Sequence, residues 1–208
     1  VGTISPAAGT VNADSFDNTV ISGHTALATR PAATDEFLVS DAGTIKRVDY
    51  SLVNNGIIEA DQFVITSSLA VTSEVTISSN LTRNANSGFS QIGTGMSHSS
   101  GLFSFPSTGM YYISAVGDWY SSNTPNYCGL YISMTTDNGS NYSTANTNAN
   151  ITSGNHYANS KVQALFNCTN TSTHKVRFRA TAGASTNLQG SSTAILTNFL
   201  FMRLGDSQ

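Results

Sequence analysis

Aromatic residues and histidine gather in two stretches of this sequence that are otherwise rich in Asn and Ser. Residues 117–129, GDWYSSNTPNYCG, hold Trp119, Tyr120 and Tyr127, and residues 138–160, NGSNYSTANTNANITSGNHYANS, hold Tyr142, His156 and Tyr157. Such a mixture suits a recognition surface, because rigid aromatic faces supply contact area while Asn and Ser supply adaptable hydrogen bonds. Aromatic faces also stack on sugar rings. The candidate ligand-contacting residues are therefore Trp119, Tyr120, Tyr142, His156 and Tyr157, the second stretch being read as one long polar loop. Trp119 has a second reading, as core that closes the end of a sandwich.

Catalysis and metal binding need tighter constellations than this chain offers. His24, His98, His156 and His174 are scattered, and none has the HExxH or HxH spacing of a metal site. There is no GxSxG elbow to raise a nucleophile and no glycine loop to cradle phosphate. Asp35–Glu36 is the one adjacent carboxylate pair. It reads as a solvated turn, since the two acids of a glycosidase stand on separate elements. Cys128 and Cys168 both sit in apolar runs, YCGLYISM and VQALFNCT, and are expected as free buried thiols rather than a disulfide. The expectation is a non-enzymatic protein with no catalytic residue, no metal and no cofactor.

The elements that would position the aromatic residues are strands. Only 10% of the 208 residues are charged, against about 25% in an average soluble domain. Ser, Thr, Asn and Gly supply the polarity instead, and these residues disfavour helix interiors. With 39% hydrophobic residues, the chain can build a core, and no helix-length 3.6-residue period runs through it. A net charge of −3 gives no attraction to nucleic acid. No apolar run approaches the roughly 18 residues of a membrane helix, so membrane insertion is not expected. The opening residues, VGTI, lack the layout of a signal peptide, and the missing initiator Met is read as a sign of trimming.

Residues 1–22 are small and polar without a period and are expected to form an N-terminal arm. Residues 36–40 and 44–48 read as two short strands joined by Asp41-Ala42-Gly43, a hairpin too small to hold a core alone. Residues 63–82 hold a weak six-residue repeat, FVITSS, LAVTSE, VTISSN, with apolar first and third positions. It is read as a short β shaft completed by other chains or as one long strand, within an attachment segment spanning 23–80. From residue 81 to 208 strand follows strand: 101–106, 110–120, 127–135, 161–167, 174–180 and 194–204. The last is apolar on both faces. Ile195, Phe199 and Phe201 lie on one side and Leu196, Leu200, Met202 and Leu204 on the other. A strand covered twice needs a neighbouring subunit, so the second set is the candidate self-association surface.

The stretch GLFSFPSTGMYYISA gives this strand order a name. Gly101, Phe103, Pro106, Gly109, Tyr111, Tyr112 and Ser114 match a Gly-x-Phe-x-x-Pro-x-x-Gly-x-Tyr-Tyr-Phe-Ser pattern, with Ile113 in place of its last Phe. It resembles that of the globular head of the complement collagen-tailed component, in the superfold of tumour necrosis factor. The closing Asn198-Phe199-Leu200-Phe201 matches the aromatic-rich last strand of that family. The resemblance covers about residues 81–206. It implies an all-β jelly-roll sandwich that assembles as a homotrimer, with the inner strands packed around a threefold axis. The family's calcium-binding loops have no clear counterpart, so no metal is implied.

The N-terminal TDEFLVSDAGTIKRVDYS, together with LAVTS and VTISSNLT of the repeat, resembles segments of bacteriophage tail-fibre and structural proteins. This resemblance implies a virion-surface component. Two roles follow: a trimeric fibre or tip that binds a host-surface glycan, or a capsid or tail decoration protein anchored to other virion proteins by its N-terminal region.

Overall fold

The computed structural model describes residues 25, 29, 31–32, 34–53, 56–85, 88–122, 127–150 and 156–208. They belong to two compact units, divided between Asn55 and Gly56. The expected arm at 1–22 lies outside the described residues. In the first unit β1 (Glu36–Asp41) and β2 (Thr44–Asp49) form the hairpin read from the sequence, in register from Glu36 opposite Asp49 to Asp41 opposite Thr44. Ala42 and Gly43 turn the chain with φ of 50° and 85°, and positive φ at both central residues matches the twist of the flanking strands. A single-turn helix α1 (Tyr50–Val53) follows, and the Tyr50 ring lies 6.0 Å from that of Phe37. Every residue of β1 is exposed. No described helix is long and apolar enough to cross a membrane.

The second unit is a jelly-roll sandwich. Its strands are β3 (Ala60–Ile65), β4 (Leu69–Val71), β5 (Val75–Thr76), β6 (Leu81–Arg83), β7 (Ser97–Ser99), β8 (Leu102–Ser104), β9 (Gly109–Tyr120), β10 (Cys128–Thr135), β11 (Ser143–Ala149), β12 (Tyr157–Cys168), β13 (Lys175–Ala182), β14 (Thr186–Leu188) and β15 (Asn198–Gly205). All the pairings among them are antiparallel. One sheet runs β11-β10-β13-β8-β7, with β5 also on β13. The other centres on β9. β12 covers one side of β9 for its whole length, while β15 and β14 share the opposite side. Beyond β15 lie β3 and then β6, and beyond β14 lies β4.

The core is the meeting of the alternate apolar residues of both sheets. Phe178 of β13 stacks on Phe199 of β15 at 4.2 Å, and Phe103 of β8 meets Phe63 of β3 edge-on at 4.9 Å and Phe201 of β15 at 5.1 Å. These aromatic pairs add directional preference to the burial of large side chains. The motif residues each have a physical role in this packing. Gly101 has φ of 78°, and a Cβ there would collide with the carbonyl oxygen of Ile77. Phe103 and Tyr111 are buried, and the Tyr111 hydroxyl donates to the Ser107 carbonyl at 3.0 Å, closing the turn after Pro106.

Three expectations are corrected. The repeat at 63–82 is not a separate shaft: Phe63, Ile65, Val71 and Ile77 are buried in the sandwich core. The unit therefore begins at Gly56 rather than residue 81. The reason is that β3 and β4 find their cover within the chain, by pairing with β15 and β14. The polar stretch 138–160 is not one loop. Ser143–Ala149 is an edge strand whose alternate residues stay in water, and β12 begins at Tyr157 rather than at residue 161. The last strand starts at Asn198, which leaves Leu196 outside it.

The Phe103–Phe178–Phe199–Phe201 cluster should dominate stability. Phe103→Ala is expected to cost about 3–5 kcal/mol, the usual range for deleting a fully buried phenyl ring, read from the midpoint of urea unfolding. A loss below about 1 kcal/mol, the range of volume-conserving core swaps, would show that the two sheets do not meet at this ring.

Candidate functional site

The paired ends of β9 and β12 bring three of the five candidate aromatic residues together. Tyr120 lies opposite Tyr157 in the ladder, and their rings are 5.0 Å apart. The His156 ring lies 6.1 Å from that of Tyr120. Tyr157 is 60% exposed. His156 is fixed by backbone chemistry: Nδ1 lies 2.7 Å from the Ser121 carbonyl oxygen, and the Ser121 amide donates to the His156 carbonyl at 2.9 Å. Since a carbonyl only accepts, Nδ1 carries the proton, which leaves Nε2 as the acceptor of the neutral ring.

Trp119 does not join this surface. Alternation along β9 points it inward beside the outward Tyr120. It is fully buried, and its Nε1 donates to Ser160 Oγ at 2.8 Å. Of its two readings, the core one holds, and the expectation that it touches a ligand is corrected. Tyr142 is elsewhere too. The ladder sets Cys128 opposite Ala149 and Met134 opposite Ser143, so β10 and β11 carry the chain away from the β9–β12 end. The seven residues of β11 span roughly 23 Å at about 3.3 Å each. At this far end the Arg177 guanidinium sits 3.7 Å above the Tyr142 ring, a cation–π contact that occupies the ring face.

The turn leading to Tyr142 is held by Asp137. Thr135 Oγ1 donates to its carboxylate at 2.7 Å, the Asn141 amide at 2.9 Å and Asn141 Nδ2 at 2.7 Å. These bonds favour the charged form, the Thr135 hydroxyl most, and pull the Asp137 carboxyl down to about 2. Asn138 and Gly139 complete the turn with φ of 58° and 95°. Among the described residues no group of three or more His, Cys, Asp or Glu is placed to hold a metal. Cys128 and Cys168 are free and buried, and burial pushes the Cys128 thiol up to about 11.

A second surface lies on the outer face of the β9 sheet. Residues directly opposite one another in an antiparallel ladder point to the same face. One such row reads Leu165, Tyr112, Met202, Ala60, Ile92 across β12, β9, β15, β3 and the bridge beyond it. Leu165 is 64% exposed and Ile92 48%, so the row is apolar from edge to edge and open to solvent. The next row adds Leu200 between Ser114 and Gln62. Leu204 is exposed where the ladder slips between Arg203 and Gly205, and Leu196 is half-buried before the strand begins. Of the residues named from the sequence as a self-association surface, Leu196, Leu200, Met202 and Leu204, the ladder places Leu200 and Met202 in these rows, and Leu165 was not named. Its signal was there: in KVQALFN it is the lone apolar residue on the polar side of the alternation.

No protein-family model matches the sequence, and no curated protein sequence is similar to it. Solved structures do share the fold. Eiger TNF from S. frugiperda superposes with a TM-score of 0.54 at 11% identity, over 74% of this chain and 96% of that one. Murine APRIL gives 0.50 at 14%, over 70% and 98%. PRD1 vertex protein P5 gives 0.50 at 13%, over 72% and 99%. The second unit thus has the tumour-necrosis-factor-like jelly roll that the motif at Gly101–Ser114 implied.

The folded Asp137 carboxyl, at about 2, lies below the roughly 3.9 of an unfolded aspartate. The stability it confers is present above about pH 4 and is lost as pH falls through about 2. A carbon-13 NMR titration of its carboxyl carbon should give a midpoint near 2, and Thr135→Val should raise it. A midpoint unmoved by Thr135→Val would place the cause elsewhere.

Proposed function

We propose that this chain is a non-enzymatic virion structural protein. It assembles as a homotrimer through the outer face of the β9 sheet and acts as a fibre or tip that binds a host-surface glycan at Tyr120, His156 and Tyr157. The observation that carries this reading is the apolar row Leu165–Tyr112–Met202–Ala60–Ile92. Such a row in water is costly for a monomer, and large exposed apolar patches mark interfaces. A second copy covers it in the arrangement that the resemblance implies, with inner sheets around a threefold axis. A vertex protein of PRD1 has the same fold, which supports a place on a virion. The glycan reading rests on the Tyr120 and Tyr157 rings, 5.0 Å apart, and on the His156 ring beside Tyr120.

A second role has its own observation. The β1–β2 hairpin belongs to a separate unit and leaves Leu38 76% exposed, with Phe37, Val39 and Ile45 also in water. Apolar residues on both faces of a two-stranded ribbon favour docking on another virion protein, as a decoration or attachment role would need.

Light scattering decides the assembly. The expected mass is three times 21.9 kDa, about 66 kDa, and Leu165→Glu with Met202→Glu should leave monomers. A wild-type monomer at micromolar concentration would overturn the trimer. For the glycan site, Tyr120→Ala with Tyr157→Ala should weaken adsorption to host cells while the trimer and its stability change little, within about 0.5 kcal/mol. Tyr142→Ala should adsorb normally, because that ring is engaged by Arg177 at the other end. Normal adsorption of the double variant would remove Tyr120 and Tyr157 from the site.

A further inference from the structure

The sandwich is left unjoined along one side, where β6 ends one sheet and β7 ends the other. Between these edges lies a cavity of about 470 Å³, a size that suits a small ligand. Phe63 and Arg83 lie opposite each other in the β3–β6 ladder and so share a face, with the guanidinium carbon 5.3 Å from the ring centre. Asp61, two residues before Phe63, has a side chain only 1% exposed. It accepts from Arg83 Nε at 2.9 Å and Nη2 at 3.0 Å, and Nη2 also donates to the Met96 carbonyl at 2.6 Å. The guanidinium is locked in place, and Nη1 is its one nitrogen without a protein acceptor among the described residues. From the facing sheet, the His98 ring meets Phe63 at 5.5 Å and Phe103 at 5.1 Å. Its Nδ1 is buried without a hydrogen-bond partner among the described residues. Orphaned buried nitrogens are rare in native proteins and need an explanation.

We propose that this cavity binds an acetamido group, carried by an N-acetylated hexosamine. The carbonyl of that group needs a fixed donor, which Arg83 Nη1 supplies. Its methyl needs an apolar wall, which Phe63 and Pro106 supply. The sugar hydroxyls meet Ser97 at the exposed rim. An anionic ligand fits worse. Asp61 already neutralises Arg83, and behind the lining residues Thr94 and Gly95 the Glu59 carboxylate accepts from their amides at 3.1 and 2.9 Å. The cavity shares no residue with the Tyr120–His156–Tyr157 surface, so this inference does not rest on the function proposed above.

The test is an amide and side-chain NMR titration of the full chain with N-acetylglucosamine, and with glucose as the analogue that lacks the acetamido group. N-acetylglucosamine should shift Arg83, Met96 and His98 resonances with about millimolar affinity, the scale expected of a single small ring. Glucose should bind about tenfold more weakly for want of the bond to the charged donor. Ser97→Trp, at an exposed position, should block the rim without touching the core. Tyr120→Ala with Tyr157→Ala should leave these shifts unchanged. The proposal falls if neither sugar shifts the cavity resonances, if glucose binds equally well, or if Ser97→Trp binds as the wild type does.

Discussion

The unbroken ladder between β9 and β12 sets the orientation of everything around it. Twelve residues of each strand pair in one register, from Gly109 opposite Cys168 to Tyr120 opposite Tyr157. A slip of one residue would exchange the faces of both strands. Tyr111, Ile113, Ala115 and Trp119 would leave the core, and Tyr112, Ser114 and Tyr120 would enter it. Because that exchange would put serine inside and four buried apolar residues outside, the register is strongly determined. Once it is fixed, β15 can pair on the other side of β9 only with Phe199 and Phe201 inward. The outward positions of Leu200 and Met202 follow with no further choice.

The two sheets treat their outer faces differently. On β13 the outward positions are Lys175, Arg177 and Arg179, and each is placed against a partner. Lys175 donates to Ser104 Oγ and to the Thr171 carbonyl, Arg177 covers Tyr142, and Arg179 pairs with Glu74 and lies over Tyr131. Arg177 Nε, however, is buried without a hydrogen-bond partner among the described residues. Among the described residues of the second unit, the central row on the outer face of the β9 sheet has no comparable cover, apart from the bond from Gln163 to the Tyr112 hydroxyl. In the proposed trimer each copy would meet its two neighbours through different patches of this face, a heterologous contact that closes into a ring.

The strands that could be read from the sequence are those with a regular run of large apolar residues on at least one face. β13 alternates charge with apolar residues, and β15 is apolar on both sides, so each was legible alone. The motif of residues 101–114 was legible because close approach at Gly101 and the bond of Tyr111 to Ser107 leave few substitutes. β11 was not legible: STANTNA has no large apolar residue, and only its place beside β10 makes it a strand. That omission carried over to Tyr142, which reads as part of the same loop as His156 until β11 separates them. The repeat at 63–82 shows the complementary failure. Alternation reveals that one face must be covered, but not whether this chain or another covers it. The Arg83–His98 cavity had no local signature at all, since its walls come from two sheets and meet only through the fold.

The low charge of the chain also follows from this architecture. Among the 12 acidic and 9 basic residues, several are used to fix structure: Asp61 with Arg83, Glu74 with Arg179, Arg203 with Asp206 and the Thr108 carbonyl. Asp137 is spent on its own turn. Charge fixed in such internal bonds is not available to attract a partner over distance, and surface fields beyond about 10 Å are in any case screened by salt. In the proposed role, recognition at the β9–β12 end would fall to tyrosine faces, an imidazole nitrogen and the neutral hydrogen-bonding groups of Asn and Ser. These interactions act only at contact and depend on shape. That places the burden of specificity on how firmly Tyr120, His156 and Tyr157 are held. The ladder beneath them, the buried Trp119–Ser160 bond and the two bonds between Ser121 and His156, amide to carbonyl and ring Nδ1 to carbonyl, supply that rigidity.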